Sequence, residues 1–241
     1  ESFITGLRAL SDSHVDQPLA YTTMLLKGTP LASKESRNLY KMETRYRLLP
    51  RQFGEYMGER VVEYDEVCVA TNTMSYEEYL ECRGFSLIFL SLSSKQYNFL
   101  RPACEKLGVD WFDLLLQVWQ AMKENRGSLG RLYREFITAS EEELFDSPEE
   151  LVAFVQEDAN YKRLLSGEIG ETIMRNFVPR MIINHFEETV ALTMSLLAAI
   201  RPDQSWLPDL QAWAIATRNI DVLLDGTAKS TNESKITLNW N

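Results

Sequence analysis

The chain has 241 residues, 45% of them hydrophobic and 25% charged, with 25 basic against 35 acidic side chains and a formal net charge of −10. That length can bury a sizeable core in one large domain or two small ones, and the composition is that of a globular protein. The negative balance repels a phosphate backbone and no basic stripe with interleaved aromatics offsets it, so nucleic acid is not expected as a partner. Cys68, Cys82 and Cys104 are too widely spaced for a disulfide framework or a close metal pair, which points to buried thiols in a reducing cytoplasm. The most apolar run, Val190 to Ile200, is too short to span a bilayer, and Glu1-Ser2-Phe3 lacks the basic start and apolar core of a leader. The missing initiator Met and a start inside a helical pattern predict a piece of a longer protein.

In chain order, Phe3, Ile4, Leu7 and Leu10 have helical spacing over Glu1 to Ser13. Pro18 to Leu26 reads as a first strand, broken by Lys27-Gly28-Thr29-Pro30. Helix, short loop and strand together have the rhythm of a βα unit in a parallel sheet. A short helix is expected from Ser33 through Tyr40, then a loop over Tyr46 to Gly58 rich in arginine and aromatics. Arg60 to Met74 reads as a second strand, charged at its start and apolar near its end.

From Ser75 onward the pattern is helical. Ser75 and Glu78 form a capping box for a helix to about Leu92. Tyr97 to Leu107 follows, ended by Gly108, then a helix capped by Asp110 and another over Leu132 to Ala139. Ser147-Pro148 opens the next, over Leu151 to Glu157, and Ala159 to Ser166 comes after it. Glu171 to Ile200 reads as one long helix kinked or split at Pro179, and Asp203 to Leu224 as the last. Gly226 to Lys235 has linker composition, and Ile236 to Trp240 is a short strand or a disordered end. The expected fold is mostly α: a short α/β segment over residues 1–74, a multi-helix domain over 75–225 and a flexible tail over 226–241.

No complete catalytic constellation is visible. His14 and His185 are the only histidines. His185 and Glu188, three apart on one expected helix, have the spacing of a metal-ligand pair, but no second such motif accompanies them. The runs Glu141-Glu142-Glu143 and Glu149-Glu150 read as solvated helix starts.

Tyr21-Thr22-Thr23-Met24-Leu25 and Lys27-Gly28-Thr29-Pro30-Leu31, after Glu1-Ser2-Phe3 and Val15-Asp16, resemble the last third of a radical S-adenosylmethionine barrel. Lys27 stands where that family's turn has its first proline. Thr44 to Pro50 and Asn72 to Tyr79 resemble the C-terminal part of the subgroup that also binds cobalamin. The resemblance covers the first eighty or so residues and is compositional beyond Leu100. It implies an enzyme that cleaves S-adenosylmethionine with a [4Fe–4S] cluster, of which this chain is a C-terminal portion: the end of a partial β/α barrel followed by a helical domain that covers or flanks its mouth. It implies that Tyr21, Thr23, Met24 and Leu25 lie along the adenine and that Arg45, Arg47 and Asn72 face a small-molecule substrate. The family's Cys-x-x-x-Cys-x-x-Cys is absent from the chain, so cluster and cobalamin would be held elsewhere in the parent. The different expectation, from the helices alone, is a non-enzymatic module that binds a partner through an apolar groove. A severed barrel would leave an open strand edge, which predicts homo-oligomerisation through residues 15–72.

Overall fold

The computed structural model describes residues 2–13, 15 and 19–218. The fold is mostly α with one small antiparallel sheet. In chain order the elements are α1 (Ser2–Asp12), α2 (Lys34–Tyr40), β1 (Glu43–Tyr56), β2 (Glu59–Ala70), α3 (Tyr76–Leu92), α4 (Leu100–Leu107), α5 (Trp111–Glu124), α6 (Ser128–Glu142), α7 (Pro148–Gln156), α8 (Asp158–Leu165), α9 (Ile173–Ile183), α10 (Phe186–Ile200) and α11 (Leu207–Ala216).

The helix starts follow from capping chemistry. Ser75 and Glu78 exchange hydrogen bonds of 2.8 and 3.2 Å at the head of α3. Asp110 accepts from the Asp113 N–H at 2.8 Å, and Ser147 accepts from the Glu150 N–H at 3.1 Å with Pro148 in the first turn. Gly108 closes α4 at φ +61°, the left-handed conformation expected of it.

The β region differs from the sequence expectation. The stretch 46–58 is not a loop but most of β1, which pairs with β2 in an antiparallel hairpin. In Arg45 to Leu48 the arginines alternate with Tyr46 and Leu48, so the arginines share one face of the hairpin and Tyr46 and Leu48 the other. Met57 and Gly58 make the two-residue turn at φ +53° and +83°. The parallel βα unit is not formed among the described residues. Ala20 to Leu26 is not a regular strand; its one ladder contact is an antiparallel bridge between Met24 and Val67. Leu25 N–H donates to the Glu66 carbonyl at 2.8 Å, and Cys68 N–H to the Thr23 carbonyl at 2.9 Å. With no continuous ladder, the segment is an extended strap along β2.

The Glu171–Ile200 expectation also changes. Pro179 sits inside α9 without ending it, and the break falls at Asn184 and His185, so His185 flanks α10 rather than lying within a helix. The last helix is confined to Leu207–Ala216 among the described residues. The expected tail over 226–241, the short strand Ile236 to Trp240 and His14 lie outside them.

The chain divides into two compact units that cut across the expected boundary at residue 74. One takes its described residues from 1–18, 87–134 and 177–241, the other from 19–86 and 135–176. In the first, Val118 and Met122 of α5 and Val190, Met194 and Leu197 of α10 are buried, with Leu207 and Leu210 of α11. In the second, the hairpin is packed on both faces. Val67 and Val69 meet Tyr79 and Leu80 of α3 on one face. On the other, Tyr46, Leu48, Phe53, Val62 and Tyr64 meet Leu151 and Val155 of α7 and Tyr161 and Leu164 of α8.

Candidate functional site

Alternation on the hairpin sets the site. Arg47 and Asp65 are direct cross-strand partners, so they share the face of Val67 that looks toward α3. Arg47 there lies within electrostatic reach of Tyr79, and Arg83, four residues on from Tyr79, is on the same side of α3. Glu143, just past the end of α6, completes the group. Its carboxylate accepts from the Arg83 guanidinium at 2.6 Å, and the Arg83 guanidinium lies 5.9 Å from the centre of the Phe136 ring. Arg47 and Asp65 form a looser ion pair at 3.7 Å, beyond hydrogen-bond reach.

The cluster is largely shielded from bulk solvent. Asp65 and Tyr79 are buried, and only 11% of the Arg83 side chain is exposed. Burial is the largest influence on the Glu143 carboxyl and pushes its pKa above the usual carboxylate range, while Arg83 and Arg47 pull it down. Burial likewise pushes the Tyr79 phenol up, with Arg83, Arg47 and the Thr22 hydroxyl acting the other way. None of these side chains forms a nucleophile with an adjacent base. The arrangement is suited to binding and orienting a polar group, not to attacking one.

Of the residues the sequence marked as binding residues, only Arg47 belongs to this cluster. Arg45 pairs with Asp146 at 2.8 Å and donates to the Thr44 carbonyl at 3.0 Å. Asn72 is exposed, its N–H donating to the Tyr40 carbonyl at 2.7 Å. Tyr21 is 78% exposed and Met24 is partly so, whereas Leu25 is buried and Thr23 is tied to β2 through its carbonyl. The structure therefore spreads Tyr21 to Leu25, Arg45, Arg47 and Asn72 over several surroundings instead of converging them.

Sequence reasoning missed Asp65, Arg83 and Glu143. The readable signal was Arg83, a charged residue four positions after Tyr79 on the apolar side of an amphipathic helix. Glu143 is not part of a solvated helix start: it follows the end of α6, and unlike exposed Glu141 and Glu142 it is turned against Arg83.

The cysteines are not placed as ligands. Cys68 donates to the Ala70 carbonyl at 3.3 Å, and burial pushes the Cys104 thiol up to about 12. His185 pairs with Glu188 at 2.7 Å, and this hydrogen bond holds the Glu188 carboxyl below its usual range. Among the described residues no group of three or more His, Cys, Asp or Glu side chains is placed to hold a metal ion. No helix among them is long and apolar enough to cross a membrane. A groove of about 600 Å³ lies between α10 and α11, lined by Met194, Ala198, Leu207 and Gln211 among others, with Asp203 as its charged group. Compared with known proteins, the sequence matches no family model, and no curated protein is significantly similar to it.

Proposed function

We propose that this chain is the C-terminal portion of a radical S-adenosylmethionine enzyme of the cobalamin-binding subgroup, cytoplasmic and not catalytic alone. One observation carries the reading. The strap Leu19–Leu26, which bears the resembling residues Tyr21 to Leu25, is hydrogen-bonded to β2 along one edge. Among the described residues, no backbone group pairs with its other edge at Thr22 or Met24. Leu19, Tyr21 and Leu26 along it are 60, 78 and 56% exposed. An extended apolar segment with one satisfied edge is what remains of a sheet when the neighbouring strand belongs to another part of the protein. The antiparallel hairpin is then an appendage that follows the last barrel strand, and the helices flank the barrel mouth.

The residues present do not fit the [4Fe–4S] cluster: Cys68 and Cys104 are buried in packed surroundings and the three cysteines lack the required spacing. That cluster and the cobalamin would be held by the preceding part of the parent. Toward S-adenosylmethionine the chain would offer an adenine edge the backbone groups of Thr22 and Met24, unpaired among the described residues; Arg45, Arg47 and Asn72 do not converge and would reach a substrate only separately. The competing reading is a non-enzymatic helical module that binds a partner through an apolar groove, for which the groove lined by Met194, Ala198 and Leu207 is the candidate. The reading frame before Glu1 separates them. A Cys-x-x-x-Cys-x-x-Cys there, with co-purification of its product and this chain as one iron-containing species, supports the enzyme. A frame without that motif overturns it.

A further inference from the structure

The second unit contains two kinds of arginine. Arg37, about one-third exposed, is fully used: two of its nitrogens meet the two oxygens of Glu66 at 2.6 and 2.8 Å, and its Nε donates to the Ala32 carbonyl at 3.0 Å. Arg47 and Arg83 are more deeply buried, yet the Nε of each is shielded from solvent and without an acceptor. The Tyr79 hydroxyl beside them is a third buried donor with no partner of normal geometry. This is the reverse of what desolvation favours, because an unmet donor costs most where water is excluded. The local carboxylates do not supply the lack. Glu143 takes one nitrogen of Arg83, and Asp65 stands off from Arg47.

We propose that the cluster is a binding site for a small oxyanion of the carboxylate or phosphate class, held by the Nε–H groups of Arg47 and Arg83 with the Tyr79 hydroxyl as a third donor. Planar guanidinium forks match the oxygens of such groups, which favours this class over a neutral ligand. Two ionised carboxylates in the cluster would oppose an anion. Burial shifts the Glu143 carboxyl upward, the direction that lessens this opposition, and its 2.6 Å contact with Arg83 already offsets part of its charge. The inference shares Arg47 with the enzyme reading but does not depend on it.

The test is a titration of the full chain with sodium acetate and, separately, inorganic phosphate, following the arginine Nε–H resonances by NMR. Saturable shifts of the Arg47 and Arg83 signals with at least one anion are expected, and the tighter of the two identifies the class. Tyr79→Phe keeps the ring and the charges, so the fold should survive. It should weaken binding roughly tenfold, the loss of one hydrogen bond to a charged group. Arg83→Lys should abolish the fork and with it the saturation. Signals unmoved by either anion mean that ordered water alone meets these donors, and overturn the proposal. Equal affinity in Tyr79→Phe and the parent chain also overturns it.

Discussion

The two outer edges of the β region are treated in opposite ways. On the β1 side, Tyr46 and Phe145 exchange backbone hydrogen bonds of 2.9 and 2.7 Å, so a non-adjacent residue caps the ladder. Pro50 and the left-handed Arg51 then interrupt the strand within an irregularity between Leu48 and Phe53. Proline, charge and irregular register are the usual protections of an edge. The strap on the β2 side lacks the first two. Leu19 to Leu26 holds no charged residue and no proline, and its exposed side chains include Leu19, Tyr21 and Leu26.

Truncation at each edge should separate stability from association. Phe145→Ala removes a ring packed on Phe154 at 5.2 Å and should destabilise the chain by about 3 kcal/mol, the low end for phenylalanine truncation because Phe145 is only partly buried. Chemical denaturation should show that loss with no change in oligomeric state. Tyr21→Lys should do the opposite. Stability should change by less than about 0.5 kcal/mol at so exposed a position. We expect the isolated chain to self-associate through the strap, and the lysine to raise the dissociation constant more than roughly tenfold by setting like charges across a paired edge. Light scattering over a concentration series reads both. A parent chain that stays monomeric throughout breaks the comparison.

Much of the helical fold was legible because its signals are local. Ser75 with Glu78, Asp110, Ser147-Pro148 and Gly108 each act within one turn, and each occurs where its chemistry placed it. The hairpin was less legible. Thr44 to Leu48 alternates with a period of two, but its inward residues include Arg47, which reads as solvent-facing until Asp65 and α3 are brought beside it. Pro50 and Arg51 then spoil the alternation where the strand irregularity begins. The donor cluster depends on β1, β2, α3 and the end of α6 meeting, and no window of sequence contains that. Pro179 misled for a different reason: a proline is tolerated inside a helix when surrounding packing holds its neighbours, and buried Phe177 and Met181 flank it.

A smaller effect tests how the strap is fastened. Arg37 on α2 grips Glu66, the residue whose carbonyl also accepts from Leu25. The Arg37 hydrogen bond is the main reason the Glu66 carboxyl lies below its usual range. A depressed carboxylate contributes stability that is present above its unfolded pKa and is lost as the pH falls through its folded pKa. Arg37→Ala should therefore cost about 1 kcal/mol at neutral pH, and the difference from the parent chain should shrink in acid to what the pH-independent bond to the Ala32 carbonyl contributes. Denaturation midpoints from pH 7 down to below the carboxylate range measure it. A deficit that persists unchanged in acid would show that Arg37 acts through packing and its Ala32 hydrogen bond, not through Glu66.

The smallest effect lies where β1 and β2 join. Met57 is 89% exposed and adopts φ +53°, a left-handed conformation that costs a side chain such as methionine about 1 kcal/mol and that asparagine tolerates far better. With Gly58 already in place, Met57→Asn should raise stability by about 0.5–1 kcal/mol through the turn itself, with no gain in buried area. Because the tip is remote in the register from the Met24–Val67 bridge, self-association should not change. A gain in stability accompanied by loss of association would place part of the interface at the hairpin tip. It would also show that the exposed strap is not the only apolar surface the chain holds out.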